Sequence, residues 1–170
     1  MKVLLTYSSK TGNTKQVAEA IAKALPGSPE PVPITNAPDY REYDLVIVGF
    51  WIDKGKPNAE ALRYIRTVKS KQVAFFFTLG ADVDSNHAKQ CRNRSGKYFD
   101  GNVLLGDFCC QGKISPKMIR ILRHLPSWFP HGPNPERLVR WERASTHPDA
   151  NDLKCAAEYF SKLCVEMPQY

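Results

Sequence analysis

Three stretches, Val3–Tyr7, Leu45–Phe50 and Val73–Leu79, are apolar almost without interruption and are bounded by turn residues. A strand with one face in water alternates apolar and polar side chains, so unbroken runs of this length belong to strands covered on both faces. Val32–Ile34 and Val103–Phe108 add two further strand-length runs. Helical spacing fills the gaps. Thr14–Leu25 puts Val17, Ile21 and Leu25 on one face, and Asn58–Val68 does the same with Leu62, Ile65 and Val68 behind Asn58 as a cap. Strands alternating with helices pack as a parallel sheet between two helical layers, an α/β three-layer sandwich. The run "PVPI" carries two prolines, which cannot donate to a central ladder, and is expected at the edge of the sheet.

The 170 residues, 42% hydrophobic and 11% aromatic, suffice for one domain with a single core spanning residues 1–170. After the fifth strand the pattern changes, and residues 112–148 read as an insertion. Ser115-Pro116 opens a short helix whose apolar face is Met118, Ile119, Leu122 and Leu125. "PSWFPHGPNPERLVRWERASTHP" then shows no clean periodicity, and a final amphipathic helix of about 15 residues carries Leu153, Ala156, Ala157, Phe160 and Leu163. Five cysteines, with no CxxC spacing, fit neither a disulfide framework nor a zinc site. Of the neighbours Cys109 and Cys110, one is expected to point into the core.

The most informative local feature is the turn after the first strand. "SSKTGNT" gathers Ser8, Ser9, Lys10, Thr11, Gly12, Asn13 and Thr14 between an apolar strand and a helix. Free N–H groups of the first helical turn, backed by the positive end of the helix dipole and flanked by hydroxyls, form a phosphate site. The loop has neither the lysine of a Walker motif nor the three-glycine spacing of a dinucleotide fingerprint, so ATP and NAD are not its natural ligands.

In this position "SSKTGNT" resembles the flavodoxin phosphate loop, (S/T)-x-T-G-x-T. Ser9, Thr11, Gly12, Asn13 and Thr14 match that motif, and Lys10 takes its variable position. The resemblance covers residues 1–110 and the last helix. It implies a five-stranded parallel sheet of order 2-1-3-4-5 and an FMN cofactor whose flavin lies beyond the carboxyl ends of the third and fourth strands. There "GFWIDKGKPN" supplies Phe50, Trp51, Ile52, Asp53, Lys54 and Gly55, with Trp51 the candidate for stacking on the flavin and Gly55 for a peptide that turns as the flavin gains a proton. Thr78, Leu79, Gly80, Ala81 and Asp82 supply the second flavin loop. The family's covering tyrosine is missing there; Asp82, Val83 and Asp84 stand in its place.

The resemblance implies an electron carrier between redox partner proteins. Small FMN proteins associated with bilirubin or other tetrapyrrole reductases are a subgroup of comparable type. An FMN-dependent NAD(P)H oxidoreductase acting on quinones or other small acceptors is the alternative. A response-regulator receiver would need acids after the first strand and an Asp ending the third, and a low-molecular-weight phosphatase would need a Cys in the first loop. Neither is present. The net charge of +7 departs from the usual acidic flavodoxin, and its scattered lysines and arginines do not form a nucleic-acid-binding signature. No apolar stretch is long enough to span a membrane, and "MKVLLTYSS" turns polar too early for a signal peptide, so a cytoplasmic protein is expected. Lys113, Lys117, Arg120 and Arg123 of the insertion are expected to border the flavin as a docking surface for a partner, with Met118, Ile119, Leu122, Trp128 and Phe129 available either to that surface or as core cover.

Overall fold

The computed structural model describes residues 1–129 and 132–167, apart from the side chains of Pro116 and Met118; the place expected for Met118 therefore lies outside the described residues. Six strands form, β1 (Val3–Tyr7), β2 (Val32–Pro33), β3 (Leu45–Asp53), β4 (Lys56–Pro57), β5 (Gln72–Leu79) and β6 (Val103–Gln111). Five of them are parallel in the order β2-β1-β3-β5-β6, while β4 merely folds back antiparallel on the end of β3. Without β4 in the numbering this is the expected order 2-1-3-4-5, with the proline-bearing β2 at the edge.

Alternation along each strand divides the core. Leu5, Ile47 and Phe76 face α1 (Asn13–Ala24) and α6 (Ala150–Glu166), where they meet Val17, Ile21 and Phe160. Val46, Val48, Phe50, Phe75 and Phe77 face the other way, onto Ile65 of α2 (Ala59–Thr67) and Ala88 and Cys91 of α3 (Asn86–Gly96). Each of these aromatic side chains is fully buried, contributing about 1.5–3 kcal/mol. Gly49 is required by this packing, because a Cβ there would sit 2.1 Å from the Phe76 ring.

The structure departs from the sequence expectations at several points. β3 runs on to Asp53 and returns through a two-residue turn at Lys54 (φ 49°) and Gly55 (φ 76°), where a loop was expected. Positive φ at both positions is the geometry of a type I′ hairpin. Asn58 precedes α2 but makes no side-chain cap; its Nδ2 donates to Ser8 Oγ at 2.8 Å instead. The aperiodic segment contains a helix, α5 (Pro135–Ala144), capped by Asn134 Oδ1 accepting from Arg137 N at 2.7 Å.

The insertion leaves the sheet at Gly112, whose N–H donates to Leu79 O at 2.9 Å. It returns where Lys113 N donates to His147 O at 2.7 Å. Between these points lie α4 (Pro116–Arg123) and α5, the latter anchored by buried Trp141 and Ala144. Trp128 is 81% exposed and Phe129 41%, so neither serves as core cover.

Candidate functional site

Strand order reverses between β1 and β3, and the crevice beyond their carboxyl ends is where ligands settle in sheets of this type. Ser8 N donates to Gly49 O at 2.9 Å there, closing the two strand ends together. The chain then turns through Gly12, whose φ of 88° is left-handed, and enters α1. The helix start has no side-chain cap and no acid in its first turn. Ser9 Oγ accepts from Lys15 N at 3.3 Å. The N–H groups of Lys10, Thr11, Gly12, Asn13 and Thr14 find no acceptor among the described residues. Successive unpaired N–H groups at a helix N-terminus form a concavity for an anion.

The hydroxyls of this loop divide by role. Ser8 is buried and lies between Asn58 Nδ2, from which it accepts, and the Glu60 carboxylate, to which it donates. Thr14 Oγ1 is 3.0 Å from Thr78 Oγ1, both buried, so this pair ties the phosphate loop to the end of β5. Ser9 is partly exposed and Thr11 exposed. Asn13 Nδ2 donates to Lys113 O at 3.0 Å, whereas its Oδ1 is buried without a partner. A cavity of about 310 Å³ opens onto the loop, lined by Ser8, Ser9, Gly12, Lys15, Thr35 and Glu60.

The other expected residues separate into core and rim. Phe50 is fully buried and stacks on Phe75 and Phe77 with ring centroids 5.7 and 5.9 Å away, so its side chain is core. Thr78 and Leu79 are buried as well. Trp51 is half-buried and carries Lys10 Nζ over its ring at 5.4 Å from the centroid. Ile52, Lys54, Gly55, Leu79, Gly80 and Ala81, drawn from both expected flavin loops, line one cavity of about 450 Å³. α3 completes that wall with His87, Gln90, Cys91 and Arg94. Asp53 pairs with Lys56 in the hairpin. The Gly55 carbonyl accepts from Arg94 Nη1 at 3.0 Å.

Asp82 lies elsewhere, 3.3 Å from Arg143 Nη1 of α5, in a cavity of about 390 Å³ that also contains Asn134, Arg137 and Arg140. Gly80 is held against the insertion too, since a Cβ there would meet Ile114 at 2.9 Å. Sequence reasoning missed Glu60, Thr35, the α3 wall and Arg143. Each reaches its place by tertiary packing, and only the "NPE" start of α5 and Ser85 before α3 carried local cap signals. Cys109 and Cys110 are both buried, on opposite faces of β6, where only one was expected to reach the core, because helices cover both faces of the sheet. Burial pushes both thiols up, Cys109 less because Arg92 Nη2 lies 3.1 Å from its sulfur.

The flavodoxin domain model matches residues 4–161. Two curated relatives are each described as flavodoxin-like domain-containing protein BilS. That of Clostridioides difficile (strain CD3) is 26% identical over 172 residues, covering 98% of each chain. That of Clostridium symbiosum (strain WAL-14163) is 27% identical over 173 residues, covering 90% of each. Among solved structures, oxidised flavodoxin 2 from Bacillus cereus superposes with a TM-score of 0.57 at 16% identity, over 98% of this chain and all of the other. A flavoprotein from Lactobacillus acidophilus NCFM, solved in complex with FMN, gives 0.52 at 19% identity over 64% of this chain and 92% of its own. These likenesses show a shared fold.

Proposed function

The chain belongs to the flavodoxin domain family, and from that premise we propose that it binds FMN noncovalently and passes electrons between redox partner proteins. The observation that carries this reading is the row of five N–H groups, Lys10 to Thr14, with no acceptor, at the strand reversal and ahead of a helix whose first turn lacks an acid. A terminal phosphate satisfies such a row. Asn13 Oδ1, buried without a partner in the same turn, is a further acceptor that a ribityl hydroxyl would satisfy.

Bound FMN supplies one- and two-electron redox chemistry. The polypeptide's part is to hold and orient it. The loop amides and the Ser9 and Thr11 hydroxyls bind the phosphate, and the Trp51 ring offers an aromatic face. The Gly55 carbonyl, which accepts from Arg94 Nη1, would be the acceptor for a protonated flavin nitrogen, and glycine allows its peptide to turn.

The test is the absorption spectrum of the purified protein, followed by chromatography of the released cofactor against FMN and FAD. One FMN per chain, with photoreduced protein donating electrons to a separate reductase, supports the proposal. Colourless protein that binds no added FMN refutes it.

A further inference from the structure

The insertion, residues 112–148, holds seven Lys or Arg against two Glu, which is five of the chain's net +7 in about a fifth of its length. Among the described residues only Arg143 of those seven has a carboxylate within ion-pair distance, and Lys113, Lys117, Arg120, Arg123 and Arg140 are exposed. The same segment displays Ile121, Trp128, Phe129, Leu138 and Val139, five of the ten exposed large apolar side chains among the described residues. Arginine and aromatic side chains together form the energetic centres of protein interfaces.

The base of the insertion touches both loops of the cofactor site. Lys113 O accepts from Asn13, Ile114 packs on Gly80, and Arg143 pairs with Asp82. A surface fixed there lies beside the crevice through which electrons must leave.

Resting on the electron-transfer reading, we propose that the insertion, through α4, the Trp128-Phe129 turn and α5, is the docking region for an acidic redox protein, with arginines on its carboxylates and Trp128 in an apolar contact. A second copy of this chain is the wrong occupant, because two faces of net +5 repel. A nucleic acid has no use for the five exposed apolar groups. The basic face steers encounter at low salt and loses reach as the screening length falls to about 10 Å at 0.1 M.

The probe is a small acidic ferredoxin carrying one fluorescent label, titrated by anisotropy at 20 to 500 mM NaCl against the protein with and without FMN. The affinity is expected to fall at least about tenfold between 20 and 200 mM salt. Arg120→Glu with Arg140→Glu should weaken binding about tenfold or more at 20 mM. Lys23→Glu with Lys162→Glu, on α1 and α6, should change it less than about twofold, and Trp128→Ala should weaken it at every salt concentration. The proposal is overturned by no binding at 20 mM, by equal effects of the two charge reversals, by tighter binding to vesicles of 3:1 phosphatidylcholine and phosphatidylglycerol, or by a dimer that Trp128→Ala dissociates. Because anisotropy does not read the flavin, a protein without FMN defeats the electron-transfer reading while the docking measurement still returns its own answer.

Discussion

Gly112→Ala tests how tightly the insertion and the phosphate loop are coupled. A Cβ at this position would lie 2.7 Å from Asn13 Nδ2 and 3.3 Å from its Cβ and Cγ. Backbone movement cannot relieve the clash cheaply, because Gly112 N is bonded to Leu79 O at 2.9 Å and Asn13 is 5% exposed. The Asn13 side chain must therefore rotate away and give up its 3.0 Å bond to Lys113 O. Losing that bond costs about 0.5–1.5 kcal/mol and stranding the buried amide about 1–3 more, so unfolding of the apo protein should become easier by about 2–4 kcal/mol. Displacing the first helical residue also misplaces the loop amides, and FMN affinity should fall about tenfold, equivalent to about 1.4 kcal/mol. Urea unfolding followed by circular dichroism measures the first effect, and quenching of flavin fluorescence the second. Asn13→Ala removes the obstacle, so the double variant should cost no more than Asn13→Ala alone, a coupling equal to the full cost of Gly112→Ala, about 2–4 kcal/mol. Additive single and double variants, or wild-type behaviour of Gly112→Ala, refute the reasoning.

Thr11→Ala removes an exposed hydroxyl donor to a charged group and should weaken FMN by about 1.5–3 kcal/mol, roughly 10- to 100-fold in Kd; an unchanged Kd excludes that contact. Glu60 places a carboxylate in the cavity of the phosphate loop, so Glu60→Gln, which still accepts from Ser8, should tighten FMN several-fold, and weaker binding contradicts this. Trp51→Ala should weaken FMN and abolish most of the change in tryptophan fluorescence on binding; retention of that change points to Trp128 or Trp141 as its source. Burial raises the Cys110 thiol and pushes Tyr64 up to about 12. A group with a raised folded pKa stabilises fully below its unfolded value and loses that contribution as pH rises towards the folded one. Stability should therefore decline from about pH 9, by about 1.4 kcal/mol per pH unit for each such group. Cys110→Ala should flatten the first part of the slope, and a flat wild-type curve between pH 9 and 11 rejects the assignment.

The sheet was legible because burial on both faces writes itself directly into residues such as Leu45–Phe50 and Val73–Leu79. Proline placed β2 at the edge for an equally local reason. α3 went unseen because its buried positions are Ala88, Cys91 and Ser95, too small and too polar to make an apolar stripe. α5 was obscured because Leu138 and Val139 face solvent while Trp141 and Ala144 face inward, which scrambles the period. The phosphate loop could be read from "SSKTGNT", since its chemistry is made by neighbours in sequence. The division of labour among its hydroxyls could not. Ser8 is taken by Asn58 and Glu60, Thr14 by Thr78, and Asp82 by an arginine 61 residues further on, all through contacts that only the folded chain creates.

The hydrogen bond from Lys113 N to His147 O brings the two ends of the insertion within one peptide's reach. A closed excursion of this kind behaves as an interchangeable cassette. Closure entropy grows only with the logarithm of loop length, so replacing its roughly thirty intervening residues by a five-residue link changes the cost by roughly 2 kcal/mol. β6 would still feed α6 and the strand ends of β1 and β3 would stay closed, while Gly80 and Asp82 would lose Ile114 and Arg143 as neighbours. The surface between those two anchor points can therefore be rewritten as a unit, provided Gly112 and Lys113, which seat Asn13 at the head of α1, are kept.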